Sequence, residues 1–367
     1  KFYRIIKGDK TMSIFNEEPF LIAEIGVNYY DIAKKENISN MEAAKLMVKE
    51  AKDAGCNAVK FQSYKADTIA SKNSPAYWDT TEEPTKSQYE LFKKFDSFGK
   101  DDYKEIADYC NEIGIMFLST PFDFDSIDYL DEFMDVYKIS SSDLTNLPFI
   151  KKIAKKGKDI IISTGASNLD EIKLAIDTIE DANEDYTNGK VGIGIMHCVL
   201  SYPTDNNDAN LLMIKNLKDL YPNYEIGYSD HTKPDDKMLI LTTAYLYGAT
   251  ILEKHYTLDK TLKGNDHYHG MDPNDIRIFN ENIKLIKEIN GQYDKIPLEC
   301  EGESRKQARR SIIALKEIKV GEEITEDKLT YKRPGTGISP TKLDTVIGKK
   351  AKVDIKEDDV LSYDMFE

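Results

Sequence analysis

The sequence predicts a (β/α)8 barrel followed by a small β-rich domain. Eight short apolar runs recur between residues 20 and 290, and each is separated from the next by a longer stretch with helical periodicity. Continuous apolar runs suit parallel strands buried on both faces, and eight strand–helix units in about 250 residues make a barrel. A doubly wound open sheet is the alternative fold, but no GxGxxG turn follows the first run. The barrel is therefore the predicted architecture.

The predicted strands are FLIAEIG (20–26), NAVKFQS (57–63), MFLSTPF (116–122), VYKISSSD (136–143), DIIISTG (159–165), GIGIMHCV (192–199), YEIGYSDH (224–231) and GATILEKHY (248–256). Between the first two lies the clearest helical pattern, NMEAAKLMVKEAKDAG, with Asn40 as the candidate N-cap and Gly55 as the residue that ends the helix. Strand and helix patterns thus alternate in the order that a barrel requires.

Three segments lie outside this alternation. Residues 1–19 predict a β-hairpin, YRII and MSIF around GDK, that covers the floor of the barrel formed by residues 20–290. Residues 291–307 are polar and lack periodicity, which indicates a linker. Residues 308–367 contain short alternating runs separated by turn signals such as VGEE and RPGTG, which predict a compact β-rich module.

The connection after the second predicted strand is unusually long. It runs from residue 64 to residue 100 and contains Trp78, the only tryptophan of the chain. Barrel enzymes carry their long strand-to-helix loops over the active-site mouth, so this insertion is predicted to lie there. A peripheral segment or a dimer contact is the alternative that the sequence leaves open.

The composition excludes several classes of protein. Acidic residues outnumber basic ones by 65 to 50, which gives a net charge of −15 and a pI near 5.0 and argues against nucleic acid as a partner. No apolar run approaches the ~20 residues of a membrane-spanning helix, so no membrane association is expected. The four cysteines are scattered without CxxC spacing, which favours reduced thiols and a cytoplasmic location.

Polar residues are concentrated where the predicted strands end, which is where barrel enzymes place their catalytic groups. These residues are Glu24, Asn28, Lys60, Gln62, Thr120, Lys138, Ser141, Ser163, Tyr202, Ser229, Asp230, His231, Glu253 and His255. Alternation along a strand turns Lys254 towards the helices, whereas Lys60 and Lys138 are the candidates to point inward. An inward lysine is costly without an anion, so this pair, among Ser and Thr hydroxyls, predicts a site for a phosphate or phospho-carboxylate. A salt bridge within the barrel is the alternative for each lysine.

Two histidines end neighbouring predicted strands. His231 ends the seventh strand and His255 the eighth, and closure of the barrel brings Glu24 of the first strand beside them. Two imidazoles with nearby carboxylates predict an open divalent site for Mn, Zn, Co or a similar ion, and histidines that only donate hydrogen bonds are the alternative. The HxH pair His267 and His269 could form a third cluster, but in a Gly- and Asp-rich loop it is expected to be solvated or to face the substrate rather than to form a metal centre.

Nine motifs follow one another along the chain: AEIGVN at 23–28, VKFQ at 59–62, STPF at 119–122, YKISS at 137–141, STGAS at 163–167, HCVLSYPT at 197–204, YSDHT at 228–232, EKH at 253–255 and KRPGTGIS at 332–339. Together and in this order they resemble the sialic acid synthase family, which includes N-acetylneuraminate synthases and the related legionaminic acid synthases. The resemblance implies a catalytic TIM barrel in residues 20–290 and an antifreeze-like (SAF) domain in residues 308–367.

The resemblance also implies roles for individual residues. His231 and His255 would hold a divalent metal ion, Mn2+ foremost, with Mg2+ or Co2+ as alternatives. The catalytic residues would be Glu24, Glu253 and Lys60, and the substrate-binding residues would be Gln62, Thr120, Lys138, Ser141, Ser163, Tyr202, Ser229, Asp266 and Arg333. In a domain-swapped homodimer, Arg333 would hold the acyl-amino group of the sugar in the barrel of the other subunit.

The implied function is a metal-assisted synthase that condenses phosphoenolpyruvate with open-chain N-acetylmannosamine to N-acetylneuraminate and releases phosphate. The insertion also resembles N,N'-diacetyllegionaminate synthases, which use a 2,4-diacetamido-6-deoxy sugar, and that product is the alternative. Two other functions stay open: a metal-dependent aldolase acting on a phosphorylated sugar and, from the C-terminal module alone, a carbohydrate- or ice-binding protein. The inward lysines and strand-end histidines are not explained by the binding protein.

Overall fold

A computed structural model of the protein describes residues 19–78, 80–81, 83–264 and 266–367, with Phe15 and the backbone of residues 6–7 and 11–12. By its internal contacts the chain divides into two compact units, Lys1–Ile289 and Asn290–Glu367. Among the described residues, no helix combines the length and the apolar character needed to cross a bilayer.

The first unit contains a parallel eight-stranded sheet that closes on itself. Its strands are β3 (Phe20–Gly26), β4 (Ala58–Ser63), β5 (Met116–Pro121), β6 (Val136–Ile139), β7 (Asp159–Ser163), β8 (Ile193–Cys198), β9 (Glu225–Asp230) and β10 (Ile251–His255). They pair in the order β5-β4-β3-β10-β9-β8-β7-β6, and the two end strands, β5 and β6, also contact each other. The predicted (β/α)8 barrel is confirmed.

Helices follow the strands and cover the barrel. They are α1 (Tyr29–Glu36), α2 (Asn40–Ala54), α3 (Ala66–Ile69), α4 (Gln88–Lys94), α5 (Lys100–Ile113), α6 (Phe124–Leu130), α7 (Leu147–Ala154), α8 (Leu169–Ala182), α9 (Leu212–Leu220), α10 (Leu239–Leu246) and α11 (Pro273–Asn290). All residues of β3 are buried, because its inner face meets the other strands and its outer face meets the helices.

The start of α2 lies one residue from its predicted position. Ser39, not Asn40, is the N-cap, and its Oγ accepts a hydrogen bond from the Glu42 backbone N–H at 3.1 Å. The Glu42 carboxylate accepts the Ser39 backbone N–H in return, which completes a capping box. The predicted end is confirmed, since Gly55 has the positive φ of +103° that stops the helix.

Part of the predicted N-terminal hairpin is described. Strands β1 (Ile6–Lys7) and β2 (Thr11–Met12) pair antiparallel. Apart from Phe15 and Pro19, the other residues of this segment lie outside the described residues. The prediction that the hairpin covers the barrel floor falls on those residues and stays a prediction.

The second unit has its own small core. An antiparallel pair, β11 (Ser311–Ala314) and β12 (Leu329–Lys332), packs apolar side chains with the turns around it, and Ile312, Ile318 and Leu361 are almost completely buried. Within the segment predicted as a linker the structure has a short helix, α12 (Gly302–Gln307).

Candidate active site

Lys60 stands at the centre of a charged cluster inside the barrel. It lies on β4 directly beside Glu24 of β3, and its Nζ is 2.5 Å from Glu24 Oε2. The same ammonium donates to Thr120 Oγ1 at 2.9 Å, and Gln62 Nε2 donates to Glu24 Oε1 at 2.9 Å. Four of the predicted site residues are therefore in direct contact, and the internal salt bridge left open by the sequence is present.

Lys138 occupies the other side of this cluster. Its Nζ donates to Ser163 Oγ at 2.7 Å and lies 3.6 Å from Glu253 Oε1. The same carboxylate oxygen accepts a hydrogen bond from Ser229 Oγ at 3.2 Å and is 3.8 Å from Lys60 Nζ. Glu253 thus joins the two inward lysines, and both ammonium groups are almost completely buried.

The two lysines differ in how well their charge is balanced. Burial would lower the pKa of Lys60, but Glu24 and Glu253 more than offset burial, so this pKa is raised. Burial lowers the pKa of Lys138, and the positive charge of Lys60 lowers it further. Glu253, its main carboxylate neighbour, acts in the opposite direction but does not offset them. Burial raises the pKa of Glu24 despite the adjacent lysine. Lys138 is therefore the ammonium that a bound anion would stabilise most.

Two glycines allow side chains to approach closely around the cluster. Gly26 has φ +54°, and a Cβ there would lie 3.0 Å from Gln62 Nε2 and 3.3 Å from Glu24 Oε1. The backbone N–H of Gly165 donates to Ser141 Oγ at 2.9 Å, and a Cβ at Gly165 would lie 2.8 Å from that oxygen. Both glycines thus leave the space in which predicted site side chains lie.

The two predicted metal ligands face each other at the mouth of the barrel. The ring centroids of His231 and His255 are 5.3 Å apart. His231 Nδ1 donates to the Val199 carbonyl at 2.7 Å, which leaves Nε2 available as a ligand atom. Tyr202 packs against His231 with a centroid distance of 4.2 Å, and Asp266 Oδ2 is 3.2 Å from His255 Nδ1.

A third imidazole lies beside this pair. His269 is fully buried, and its ring centroid is 4.9 Å from that of His255. Of the two alternatives expected for this loop, solvation is wrong at His267 and His269, since both rings are inaccessible to solvent, and the alternative that the loop faces the substrate stays a prediction. The only sequence signal for His269 is the HxH spacing, which does not reveal which of the two rings turns towards the mouth.

Hydrogen bonds fix the loop that contains these residues. His267 shares a hydrogen bond of 2.7 Å with Thr257 Oγ1 through Nδ1, and its Nε2 is 3.2 Å from Asp31 Oδ2. Asn28 Oδ1 accepts the backbone N–H of Asp266 at 3.3 Å. These contacts hold the loop against the first helix and the end of β10.

The donors at the mouth fit a divalent ion. Ligand atoms of His255, Asp266 and His269 all lie within 4.8 Å of one another. Neither ring nitrogen of His269 makes a hydrogen bond within the described part of the chain. Imidazoles with a carboxylate suit Mn, Co, Zn and similar ions, and buried nitrogens without partners are costly unless something binds them.

The insertion reaches the mouth of the barrel. The ring of Tyr77 is 6.3 Å from that of Tyr202, edge to face, and Trp78 packs against Tyr77 at 5.3 Å. Tyr77 is 61% exposed. The predicted position of residues 64–100 over the mouth is therefore observed for this part of the insertion.

Lys254 points away from the cluster, as strand alternation predicts. Its Nζ lies 2.8 Å from Asp230 Oδ2 and also donates to the Thr232 carbonyl. Asp230 in turn accepts the backbone N–H of Thr232 at 2.9 Å. This fully buried ion pair belongs to the outer side of β9 and β10.

Arg333 is the one predicted site residue that belongs to the second unit. It lies just after β12 and is exposed. The first unit by itself brings together the other predicted residues but does not contain this arginine.

Comparisons with known proteins agree with the fold and the motifs. A family model described as the NeuB family matches residues 47–295, and one described as the SAF domain matches residues 309–367. The chain is 38% identical to an uncharacterized protein of Methanocaldococcus jannaschii, over 95% of this chain and 94% of that protein. It is 36% identical to the N,N'-diacetyllegionaminic acid synthase of Campylobacter jejuni, over 94% of this chain and 99% of that protein.

A solved structure extends this similarity to the backbone. The N-acetylneuraminic acid (sialic acid) synthetase from Leptospira borgpetersenii superposes with a TM-score of 0.65 at 30% sequence identity, over 83% of this chain and 95% of that chain. The chain therefore belongs to the NeuB family of sialic acid synthases, and its C-terminal part is a SAF domain.

Proposed function

We propose that this protein condenses phosphoenolpyruvate with the open-chain form of an N-acylated amino sugar, with release of phosphate, to form a nine-carbon 2-keto sugar acid. The observation that carries the proposal is the pairing of two buried inward ammonium groups, Lys60 and Lys138, with a histidine cluster at the same end of one barrel. Glu253 connects the two parts, because it contacts both lysines and lies two residues before His255 on β10.

The lysine side is the proposed site for the enol phosphate. Lys60 and Lys138 supply two charges, and Thr120 and Ser163 hold their ammonium groups in place. Ser141 and Ser229 would add hydroxyl donors to the same anion. Because burial leaves the Lys138 charge poorly balanced, a phosphate or carboxylate beside it gains a strong interaction in a site of low dielectric constant.

The histidine side is the proposed site for the aldehyde end of the sugar. A divalent ion, most simply Mn2+, held by His231 and His255, would act as a Lewis acid towards the aldehyde oxygen. Tyr202, Gln62 and Asp266 border the space between the histidines and the lysines and would bind the sugar hydroxyls.

The bonds that form and break in the condensation suggest roles for the charged residues of this chain. C3 of phosphoenolpyruvate forms the new carbon–carbon bond to the aldehyde carbon, water adds to C2, and the bond from C2 to the phosphate oxygen breaks. Lys60 and Lys138 would stabilise the departing phosphate, since they are already oriented where charge collects. Glu24 or Glu253 would accept the proton of the attacking water, and both carboxylates lie within the lysine cluster.

Two sugars are candidates, and we place the 2,4-diacetamido-6-deoxy sugar first. The motifs by themselves favour N-acetylmannosamine, and the similarity to the Leptospira N-acetylneuraminic acid synthetase supports that sugar. The higher identity to the Campylobacter N,N'-diacetyllegionaminic acid synthase and the resemblance of the insertion support the 6-deoxy sugar. Tyr77 lies 6.3 Å from Tyr202 at the mouth, and an aromatic ring at this position would suit the methyl group of a 6-deoxy sugar.

Arg333 enters the proposal through a domain-swapped homodimer, in which it would bind the acyl-amino group of the sugar in the other subunit's barrel. Arg333→Ala should raise the KM for the sugar, because the guanidinium binds and does not react. A mixture of Arg333→Ala chains with His255→Ala chains should recover activity, since one mixed site combines an intact barrel with an intact arginine. Absence of recovery would show that each arginine serves its own barrel.

The deciding experiment follows phosphate release and product mass. The purified protein is incubated with Mn2+, phosphoenolpyruvate and each sugar separately, and the product is identified by mass spectrometry. Phosphate release with the diacetamido sugar alone supports the first candidate, and release with N-acetylmannosamine alone supports the second. An aldolase would release no phosphate, so an absence of release with both sugars contradicts the proposed function.

A further inference from the structure

We infer that His269 is a ligand of the divalent ion in this protein. The metal site then combines His255, Asp266 and His269 with His231 at the mouth of the barrel. The inference rests on the proposed function only in requiring that a divalent ion binds at this mouth. It adds a residue that the strand-end pattern did not predict.

The spacing of the donor atoms is the first argument. Ligand atoms of His255, Asp266 and His269 lie within 4.8 Å of one another, with Asp266 oxygens 3.2 Å from His255 Nδ1 and 3.6 Å from His269 Nε2. Two ligands that each lie about 2.1 Å from an ion are separated by about 3 to 4 Å. Small side-chain movements would therefore bring all three donors to one ion.

The lack of hydrogen bonds to the His269 ring is the second argument, since Asp266 Oδ1, at 3.6 Å from Nε2, lies beyond hydrogen-bonding distance. The His269 side chain is fully buried, and neither ring nitrogen makes a hydrogen bond within the described ranges. Buried polar groups in folded proteins almost always have a hydrogen-bond partner, because a buried group that lacks one has lost its hydration without compensation. An ion between His269 and Asp266 would provide that partner.

The neighbouring His267 shows that the lack of hydrogen bonds is not shared by both histidines of the turn. His267 belongs to the same short turn and is equally buried, but its two nitrogens meet Thr257 Oγ1 and Asp31 Oδ2. Its ring holds the loop in place, and the ring of His269 is turned to His255 and Tyr202. One histidine of the HxH pair therefore has a structural role, and the other is left for the ion.

His231 completes a set that is rich in nitrogen. Its ring centroid is 5.3 Å from that of His255 and 6.4 Å from that of His269, and its Nδ1 is already bound to Val199. Imidazole-rich sets favour Mn, Co and Zn over Mg, which prefers oxygen ligands and keeps its waters. Mn2+ or Co2+ should thus bind this site far more tightly than Mg2+.

The first test is calorimetric titration of chelator-treated protein with Mn2+ alone. His269→Ala removes the ligand and should weaken Mn2+ binding at least about 10-fold. Substitutions around protein metal sites typically reduce metal affinity by this factor or more. His197→Ala is the matched control, because it removes another buried imidazole, one that is hydrogen-bonded to the Ala209 carbonyl. Affinity of His269→Ala within twofold of wild type, with the control also unchanged, would overturn the inference.

A second test uses the unmodified chain and does not depend on the folding of a variant. In crystals of the full-length protein loaded with Mn2+, the anomalous signal should lie within bonding distance of a His269 nitrogen. An ion bound by the other histidines and distant from both His269 nitrogens would overturn the inference. Condensation is assayed separately, so tight Mn2+ binding through His269 without product would contradict the proposed function and leave this inference standing.

Discussion

The two faces of the barrel strands at the mouth use the same residue types differently. On the outer face, Lys254 and Asp230 form an ion pair, and Thr232 and the Tyr228 hydroxyl make further hydrogen bonds to it. On the inner face, burial lowers the pKa of Lys138, and in the loop beyond β10 the ring of His269 has no hydrogen-bond partner within the described residues. The outer pair is complete without a ligand, whereas the inner groups are not. This difference supports the proposal that an anion and a cation bind on the inner side of the mouth.

His255→Ala tests the inner face most severely. The change removes an imidazole from the mouth, and since Lewis-acid catalysis contributes several kcal/mol, turnover should fall about 1,000-fold or more. Mn2+ affinity should fall with it, whereas the affinity for phosphoenolpyruvate, measured without sugar, should stay near that of wild type. Unchanged turnover would contradict the metal assignment.

Lys254→Met tests the adjacent residue on the outer face. It leaves the Asp230 carboxylate buried without its main counter-charge, so the free energy of unfolding should fall by about 3–5 kcal/mol. Urea denaturation measures this change. Adding Asp230→Asn to the same chain removes the isolated charge and should restore part of the loss. A stability equal to that of wild type would show that the outer pair is dispensable.

Lys138→Met applies the same substitution to the inner face. The value of kcat/KM for phosphoenolpyruvate should fall about 100- to 1,000-fold, because a group oriented towards developing charge is lost. Mn2+ affinity should not change. The free energy of unfolding should fall less than in Lys254→Met, since burial already disfavours the Lys138 charge. The comparison of the two faces fails if the two variants lose the same stability.

Tyr77→Ala should have the smallest effect. Its ring is largely exposed and contacts Tyr202 at the mouth, so its loss should raise the KM for the sugar by about 10-fold or less, the value of one aromatic contact. The KM for phosphoenolpyruvate should not change. Tyr363→Ala, an exposed tyrosine of the second unit, is the matched control. Equal KM values for the sugar in wild type and Tyr77→Ala would remove the insertion from substrate selection.

Strand alternation predicted the inner face well. Glu24, Lys60 and Gln62 are all among the polar residues predicted at the strand ends, where side chains two apart share a face, and in the structure they contact one another. Loop geometry was predicted less well. The loop was expected to be solvated or to face the substrate, and its two histidine rings are not solvated, because His267 contacts Thr257 and Asp31, two contacts that no local pattern reveals.

The sequence alone determined the barrel, the C-terminal module and the inward or outward direction of side chains on the strands, because the period of two is a local property of an extended chain. The tertiary structure decided what lies beyond the strand ends. It turned His269 towards His255 and brought Tyr77 of the insertion to Tyr202. The direction of a side chain in an irregular segment depends on contacts between residues far apart in the chain, and these exist only once the barrel has closed.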